Sequence, residues 1–337
     1  MIRTIDTDVL VVGGGGASAR AALEAHLAGA KVTLAVKGEF GAVGIRGSGA
    51  TSYGISELGA LLAAGVTTPP AEDKELPSMD PDEDFSDIIQ LGLGLTNRRL
   101  AEILVQESQE ARESLKKWGW VFHLWGMKSH GVPIVAALEN QIKNSDIVVL
   151  DRTMVTDLLL QGDACVGAVT IDETTGEMMA VKAGAVILGT GGDANLYRFN
   201  MNPPCTTGDG YAMGYQAGAE LMNMEFKQML MGVAYPTKNI ILSWFYQPHV
   251  KLINGHGEEF LEKYIPQDIT SDQVFEAHSR HNIYSTRDDI SKYFEIALLS
   301  EVKEGLGNEH DCLYLDMRDQ RVDLGLPQRD NGGSTEV

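Results

Sequence analysis

Gly13-x-Gly15-x-x-Ser18 is the spacing with the clearest chemistry in this chain of 337 residues. The first glycine permits a tight turn and the second lets the backbone approach a pyrophosphate. The N–H groups that open the next helix then favour the anion. Ser18 stands where a third glycine is usual, so it must fit the close helix–strand contact, and its hydroxyl has a second use as a phosphate donor. Such sites normally offer a ribose a carboxylate at the end of the second strand, whereas here the residues are Ala35-Val36-Lys37. The plainer alternative is a glycine-rich turn made only for tight packing. Metal chemistry has no comparable signal. Cys165, Cys205 and Cys312 lie far apart, and His123, His130, His278, His281 and His310 form neither HExxH nor a Cys/His pairing, so no metal is assigned.

The elements that must position these residues are legible. Asp8 to Val12 reads as a buried strand, Ala19 to Ala28 as a helix and Lys31 to Val36 as a second strand, which together make one βαβ unit. Residues 71–87 hold eight acidic side chains, which predicts a solvated surface excursion. Helical spacing follows over 91–118, with Asn97 placed to cap the second of two helices. Segments 146–150, 154–161, 165–172 and 177–181 read as strands of a small antiparallel sheet, with turns at Gly162-Asp163 and Thr175-Gly176. Ala185 to Leu188 returns as a buried strand, and Gly208-Asp-Gly210 opens a helix over 211–219.

Composition excludes several classes. Lys and Arg number 27 against 47 Asp and Glu, and a net charge of −20 repels phosphate backbones and anionic lipid, which argues against nucleic acid as a partner. Apolar runs fall far short of the roughly 18 residues that span a bilayer, so no direct membrane insertion is expected. The first residues show neither a basic region nor a cleavage site, which reads as cytoplasmic. At roughly 150 residues per domain the length suggests two domains.

Four segments occur in order: Asp8 to Ala17, Ser48-Gly-Ala-Thr51, Ile187-Leu-Gly-Thr-Gly-Gly192 and Thr207 to Phe226. Together they resemble the FAD-binding flavoprotein subunits of the succinate dehydrogenase and fumarate reductase superfamily, which includes L-aspartate oxidase and adenylylsulfate reductase. The resemblance implies an α/β fold: a Rossmann-like FAD-binding domain with a helical insertion and small antiparallel sheet, and an α+β capping domain. The implied divisions are an FAD domain in two parts (1–58 and 146–225), a helical insertion with an acidic loop (59–145), a capping domain (226–320) and a flexible tail (321–337).

Carried over residue by residue, the resemblance assigns Gly13, Gly15, Gly16, Ala17 and Ser18 to the pyrophosphate loop, and Lys37 and Gly38 to the segment after the second strand. Gly47, Ser48, Gly49, Ala50 and Thr51 would line the flavin, and Val155 would meet the adenine through its backbone. Thr190, Gly191 and Gly192 form the second glycine turn, and Asp209 is the flavin-contacting acid. Members that tether FAD covalently use a histidine in the segment matching 45–51, which here holds Arg46 and no histidine, so noncovalent FAD is expected. Arg287 falls on the family's proton-shuttling arginine, with Asp288 or Asp289 as its carboxylate partner and Lys292 as a second positive charge. An ordinary surface Arg–Asp pair is the plainer reading.

The departures bear on substrate. The family's His-Pro-Thr-Gly and Thr-Glu-Gly segments are replaced by Lys227 to Thr237 and Ser243 to His249, where Trp244, Phe245 and Tyr246 would enlarge the pocket or simply pack the cap. His256 sits in a stretch resembling a hairpin turn. Family members also run on well beyond the point matched by Asp316, so either a second polypeptide completes the fold or the chain is a truncated product. The reading is an FAD-dependent oxidoreductase that transfers a hydride between flavin N5 and a small anionic or conjugated substrate and exchanges electrons with a separate iron–sulfur partner. The alternatives are a sulfur-oxyanion reductase resembling adenylylsulfate reductase, and a non-catalytic flavin-binding subunit.

Overall fold

The computed structural model describes residues 3–42, 81–120, 131–198, 200, 202–227, 232–233, 239–240, 251–280 and 289–316. They divide into two compact units, each described by itself.

The first unit is built on β1 (Arg3–Val12), α1 (Gly16–Leu27), β2 (Val32–Ala35), α2 (Pro81–Leu91), α3 (Arg98–Lys117), α4 (Gly131–Lys143), β3 (Val148–Leu150), β4 (Thr153–Gln161), β5 (Ala164–Asp172), β6 (Met178–Leu188) and α5 (Asp209–Gln216). Its six strands run in the order β3-β2-β1-β6-β5-β4, with β1 parallel to both β2 and β6, and β5 antiparallel to β4 and β6. Strand alternation sorts the core into two layers. Val11, Val32 and Leu34 pack beneath Ala19, Ala22 and Leu23 of α1 and Leu138 and Ile142 of α4. On the opposite face Leu10, Val12 and Ala35 meet Val155, Ala168, Val181 and Met213. Arg20 of α1 also lies over the Trp118 ring, 4.6 Å from its centroid.

Several expectations change here. The acidic stretch is helical from Pro81 onward, because proline is pre-organised for a first helical position and α2 has Phe85 to pack under Arg98 of α3. Residues 71–80 lie outside the described residues. The segment expected at 146–150 is β3, which pairs parallel with β2 and not within an antiparallel group. The segments 177–181 and 185–188 are one strand, β6, whose first half pairs antiparallel with β5 while its full length pairs with β1. The helix α4, placed in the insertion by the sequence, closes the sheet's core beside α1. The cap at Asn97 is as expected: its side chain accepts the Leu100 N–H at 3.2 Å.

The second unit contains β7 (Lys251–Ile253), α6 (Ser271–Arg280), α7 (Lys292–Lys303) and β8 (Tyr314–Asp316), with β7 and β8 antiparallel. Its core joins Leu252, Phe260, Leu261, Val274, Phe275, Phe294 and Ala297. Phe275 and Phe294 meet edge to face, their centroids 5.4 Å apart. Glu301 of α7 is fully buried and accepts from Asn254 Nδ2 (3.0 Å), Lys263 Nζ (3.0 Å) and Tyr264 Oη (2.8 Å). Burial alone would raise its pKa, but these three donors outweigh it and hold the carboxyl below the usual range. No helix among the described residues is long and apolar enough to cross a membrane.

Candidate FAD-binding cleft

The cleft forms where the carboxyl ends of β1, β2 and β6 meet the start of α5. Gly13 leaves β1 with φ +114°, and its N–H donates to Ala35 of β2 at 2.9 Å. A Cβ at Gly13 would stand 2.4 Å from the Gly189 carbonyl oxygen, so only glycine allows the ends of β1 and β6 to close this tightly. Ser18 completes the seam. It is fully buried, and its hydroxyl donates to the Gly189 carbonyl at 2.7 Å. Of the two roles open to Ser18, the structure displays the packing one.

Helix α1 starts at Gly16 with Gly15 as its N-cap, no side chain caps it, and no acidic residue occupies its first turn. The positive end of the helix dipole, at the turn that holds Gly16, Ala17 and Ser18, favours an anion.

Lys37 is pinned by backbone on both sides: Val36 N–H donates to Leu150 O and Arg152 N–H donates to Gly38 O, each at 2.9 Å. Its Nζ donates to Thr207 Oγ1 at 2.6 Å and to Asp209 Oδ2 at 2.8 Å, while the Thr207 hydroxyl donates to Asp209 Oδ1 at 2.8 Å. Helix α5 begins at Asp209 with Gly208 as a left-handed N-cap. Gly210 is pressed so closely on Thr190 that a Cβ there would lie 2.1 Å from Thr190 Oγ1. The second glycine turn therefore seats the helix, and the Gly208 N–H donates to Gly192 O at 3.2 Å.

These residues line an open cleft, with Gly13, Lys37, Val155, Thr190, Cys205 and Asp209 among its walls. Five expected site residues thus share one wall system. Thr207, Cys205 and Met213 were not singled out by sequence reasoning. Thr207 lies inside the TGDG segment and was findable there, whereas Cys205 and Met213 gave no local signal. Burial pushes the Cys205 thiol up, so it is a poor nucleophile. A second ion pair follows the glycine turn: Lys227 Nζ donates to Asp193 Oδ2 at 2.6 Å, which holds the lysine above its ordinary value.

Gly47, Ser48, Gly49, Ala50, Thr51, Arg287 and Asp288 lie outside the described residues, as do Trp244, Phe245 and Tyr246. Lys292 opens α7 in the second unit. His256 occupies a turn, its N–H donating to Asn254 Oδ1 at 3.0 Å. Among the described residues no cluster of three or more His, Cys, Asp or Glu could hold a metal.

A family profile described as FAD binding domain matches residues 8–131 and 123–295. The chain belongs to the FAD binding domain family. FAD is its cofactor, and the glycine loop, the uncapped start of α1 and the polar pair of Lys37 and Asp209 fit a dinucleotide with an anionic centre. This FAD-binding chain is 27% identical over 336 residues to a fumarate reductase (CoM/CoB) subunit of Methanothermobacter marburgensis, covering 93% of this chain and 55% of the relative. It is 29% identical over 337 residues to an uncharacterised FAD-dependent oxidoreductase of Methanocaldococcus jannaschii, covering 92% and 54%. Among solved structures, Mycobacterium smegmatis Sdh1 in complex with UQ1 gives a TM-score of 0.72 at 25% identity, over 94% of this chain and 53% of that one. The chain spans about half the length of the curated relatives it matches.

Proposed function

We propose that this chain is the flavoprotein part of a fumarate reductase/succinate dehydrogenase-like oxidoreductase. It would act on a small anionic or conjugated substrate and exchange electrons with a separate iron–sulfur protein. The observation that carries the reading is the single cleft in which Gly13, Lys37, Val155, Thr190 and Asp209 converge. The likeness to one subunit of a fumarate reductase supports the choice of reaction, and that relative's being one subunit of several supports a partner.

Bound FAD supplies the hydride acceptor or donor at N5. The chain's own residues do the rest. The start of α1, with Gly15, Gly16 and Ala17, holds the pyrophosphate. Lys37 and Asp209 fix the polar side of the cleft, Val155 offers backbone to the adenine, and residues 47–51 line the flavin. Arg287 moves the substrate proton. A guanidinium with a pKa above about 12 does this only transiently, coupled to a carboxylate, the role given to Asp288. Lys292 adds positive charge for an anionic substrate. Without a histidine in 45–51, FAD is held noncovalently.

The deciding experiment is the visible spectrum of the purified chain before and after acid precipitation, followed by turnover of Arg287→Lys and Arg287→Gln. Flavin bands released into the supernatant, with turnover lost and flavin kept in both variants, are the expected results. Unchanged turnover removes Arg287 from the chemistry. Absence of flavin removes the oxidoreductase reading and leaves a chain that does no redox chemistry by itself.

A further inference from the structure

Asn254-Gly255 follows directly on β7 in the second unit. Asparagine is a thermolabile side chain, and it is most labile before glycine, whose main-chain nitrogen no side chain screens. That nitrogen attacks the asparagine Cγ when its proton is lost to solvent base and the carboxamide is free to turn towards it. The sequence holds one other such pair, Asn331-Gly332, which lies outside the described residues.

The fold requires both residues of this labile pair. Gly255 lies against the loop after α7, where a Cβ would stand 2.3 Å from Gly307 O and 2.8 Å from Asn308 N, so backbone would have to move to admit any other residue. Asn254 is 1% exposed and uses both ends of its carboxamide. Its Oδ1 accepts from the His256 and Glu258 N–H groups, each at 3.0 Å. Its Nδ2 donates to Glu301 Oε2 at 3.0 Å and to Glu258 Oε2 at 3.3 Å. An aspartate in its place would have no proton to give, and its second oxygen would face both carboxylates. The same contacts suppress the reaction. The Gly255 N–H donates to Leu306 O at 2.7 Å, which keeps its proton from solvent, and the four side-chain bonds stop the carboxamide from turning.

We propose that Asn254-Gly255 is a spontaneous deamidation site, closed while Glu301 and the loop after α7 hold it, opened by local unfolding of the second unit, and able to make that unfolding irreversible. On opening, the Gly255 nitrogen loses its proton to solvent base and bonds to Asn254 Cγ, while the Cγ–Nδ2 bond breaks and the amide nitrogen leaves as ammonia. Water then opens the cyclic imide, at Cγ to give aspartate or at the Asn254 main-chain carbonyl to give isoaspartate. Neither product fits the closed site: aspartate sets a carboxylate against Glu301 and Glu258, and isoaspartate lengthens the backbone where Gly255 presses on Gly307. The chemistry needs neither flavin nor substrate, so it goes beyond the redox reading and does not depend on it.

The test is peptide mass spectrometry on the full chain held in mildly alkaline buffer, with conversion of amide to acid followed at Asn254 over time. In urea that unfolds the second unit, Asn254 converts at a rate close to that of Asn331. In native buffer it converts roughly a hundredfold or more slowly, and sub-denaturing urea or Phe294→Ala raises that native rate roughly tenfold or more, because the open population grows. Chain deamidated in urea and returned to native buffer no longer shows the second unit's thermal transition at its original temperature, and Asn254→Asp reproduces that loss. If the Phe294 variant does not fold, the urea series on the unmodified chain decides. The proposal is overturned by no conversion in urea, by native conversion as fast as in urea, by a native rate that neither urea nor the variant changes, or by Asn254→Asp leaving the second transition in place.

Discussion

Lys37 and Asp209, 172 residues apart in sequence, are joined by a 2.8 Å ion pair that ties the end of β2 to the first residue of α5. The lysine occupies the place where a dinucleotide site usually carries its ribose carboxylate, and the carboxylate arrives instead from across the cleft. Both side chains are about three-quarters covered, so losing one partner strands the other. Lys37→Met is expected to cost about 1.5–3 kcal/mol of FAD binding, a loss of roughly 10- to 100-fold in affinity by flavin fluorescence titration. The double variant with Asp209→Asn should lose less than the two single losses added together, and strict additivity would show that the pair acts independently.

The seam at Ser18 makes a separate stability prediction. Ser18→Ala leaves the Gly189 carbonyl without its 2.7 Å donor and should lower stability by about 1–3 kcal/mol in urea unfolding. Gly189→Ala should be worse, because its Cβ would stand 2.2 Å from Ser18 Oγ. Equal stability of the glycine variant and the unmodified chain would mean that the end of β6 does not press on Ser18 of α1.

In the second unit, Phe294→Ala removes a fully covered ring from between Phe275 and His278 and should cost that unit about 3–5 kcal/mol. FAD affinity of the first unit should be unchanged, and calorimetry should show one transition shifted and the other in place. A parallel loss of flavin would show that the two units unfold together.

The buried Glu301 gives that unit a pH dependence of definite sign. Its folded pKa lies below the ordinary 4.5, so its contribution is complete above that value and disappears as pH falls through the lower folded value. Lys263 works the other way: its folded value is raised above 10.5, and its contribution fades only in strong alkali. Glu301→Gln should therefore flatten the acid limb of the second transition. An unchanged acid limb would place the charge outside the stability balance.

How much of this was legible in sequence depended on whether the signal was local. The strand before Gly13, the start of α1, the cap at Asn97 and the turn before Tyr211 each announce themselves within a few residues. The acidic stretch from Pro81 misled because charge density masked Phe85 and a proline suited to a helix start. The two-sided pairing of β6 was hidden since sequence marks a strand without naming its neighbours. The partnership of Lys37 with Asp209 was hidden for the same reason: each residue was placed at the cofactor, but nothing short-range says that they touch.

The hydrogen bond from Ser18 to Gly189 spans 171 positions. Closing a loop this long costs chain entropy before the contact returns anything. The anion cradle at α1 and the glycine turn behind it are therefore coupled, so that opening one opens the other. FAD bound to the assembled cradle stabilises it by mass action. Cofactor supply therefore bears on how long the seam between α1 and the glycine turn stays closed.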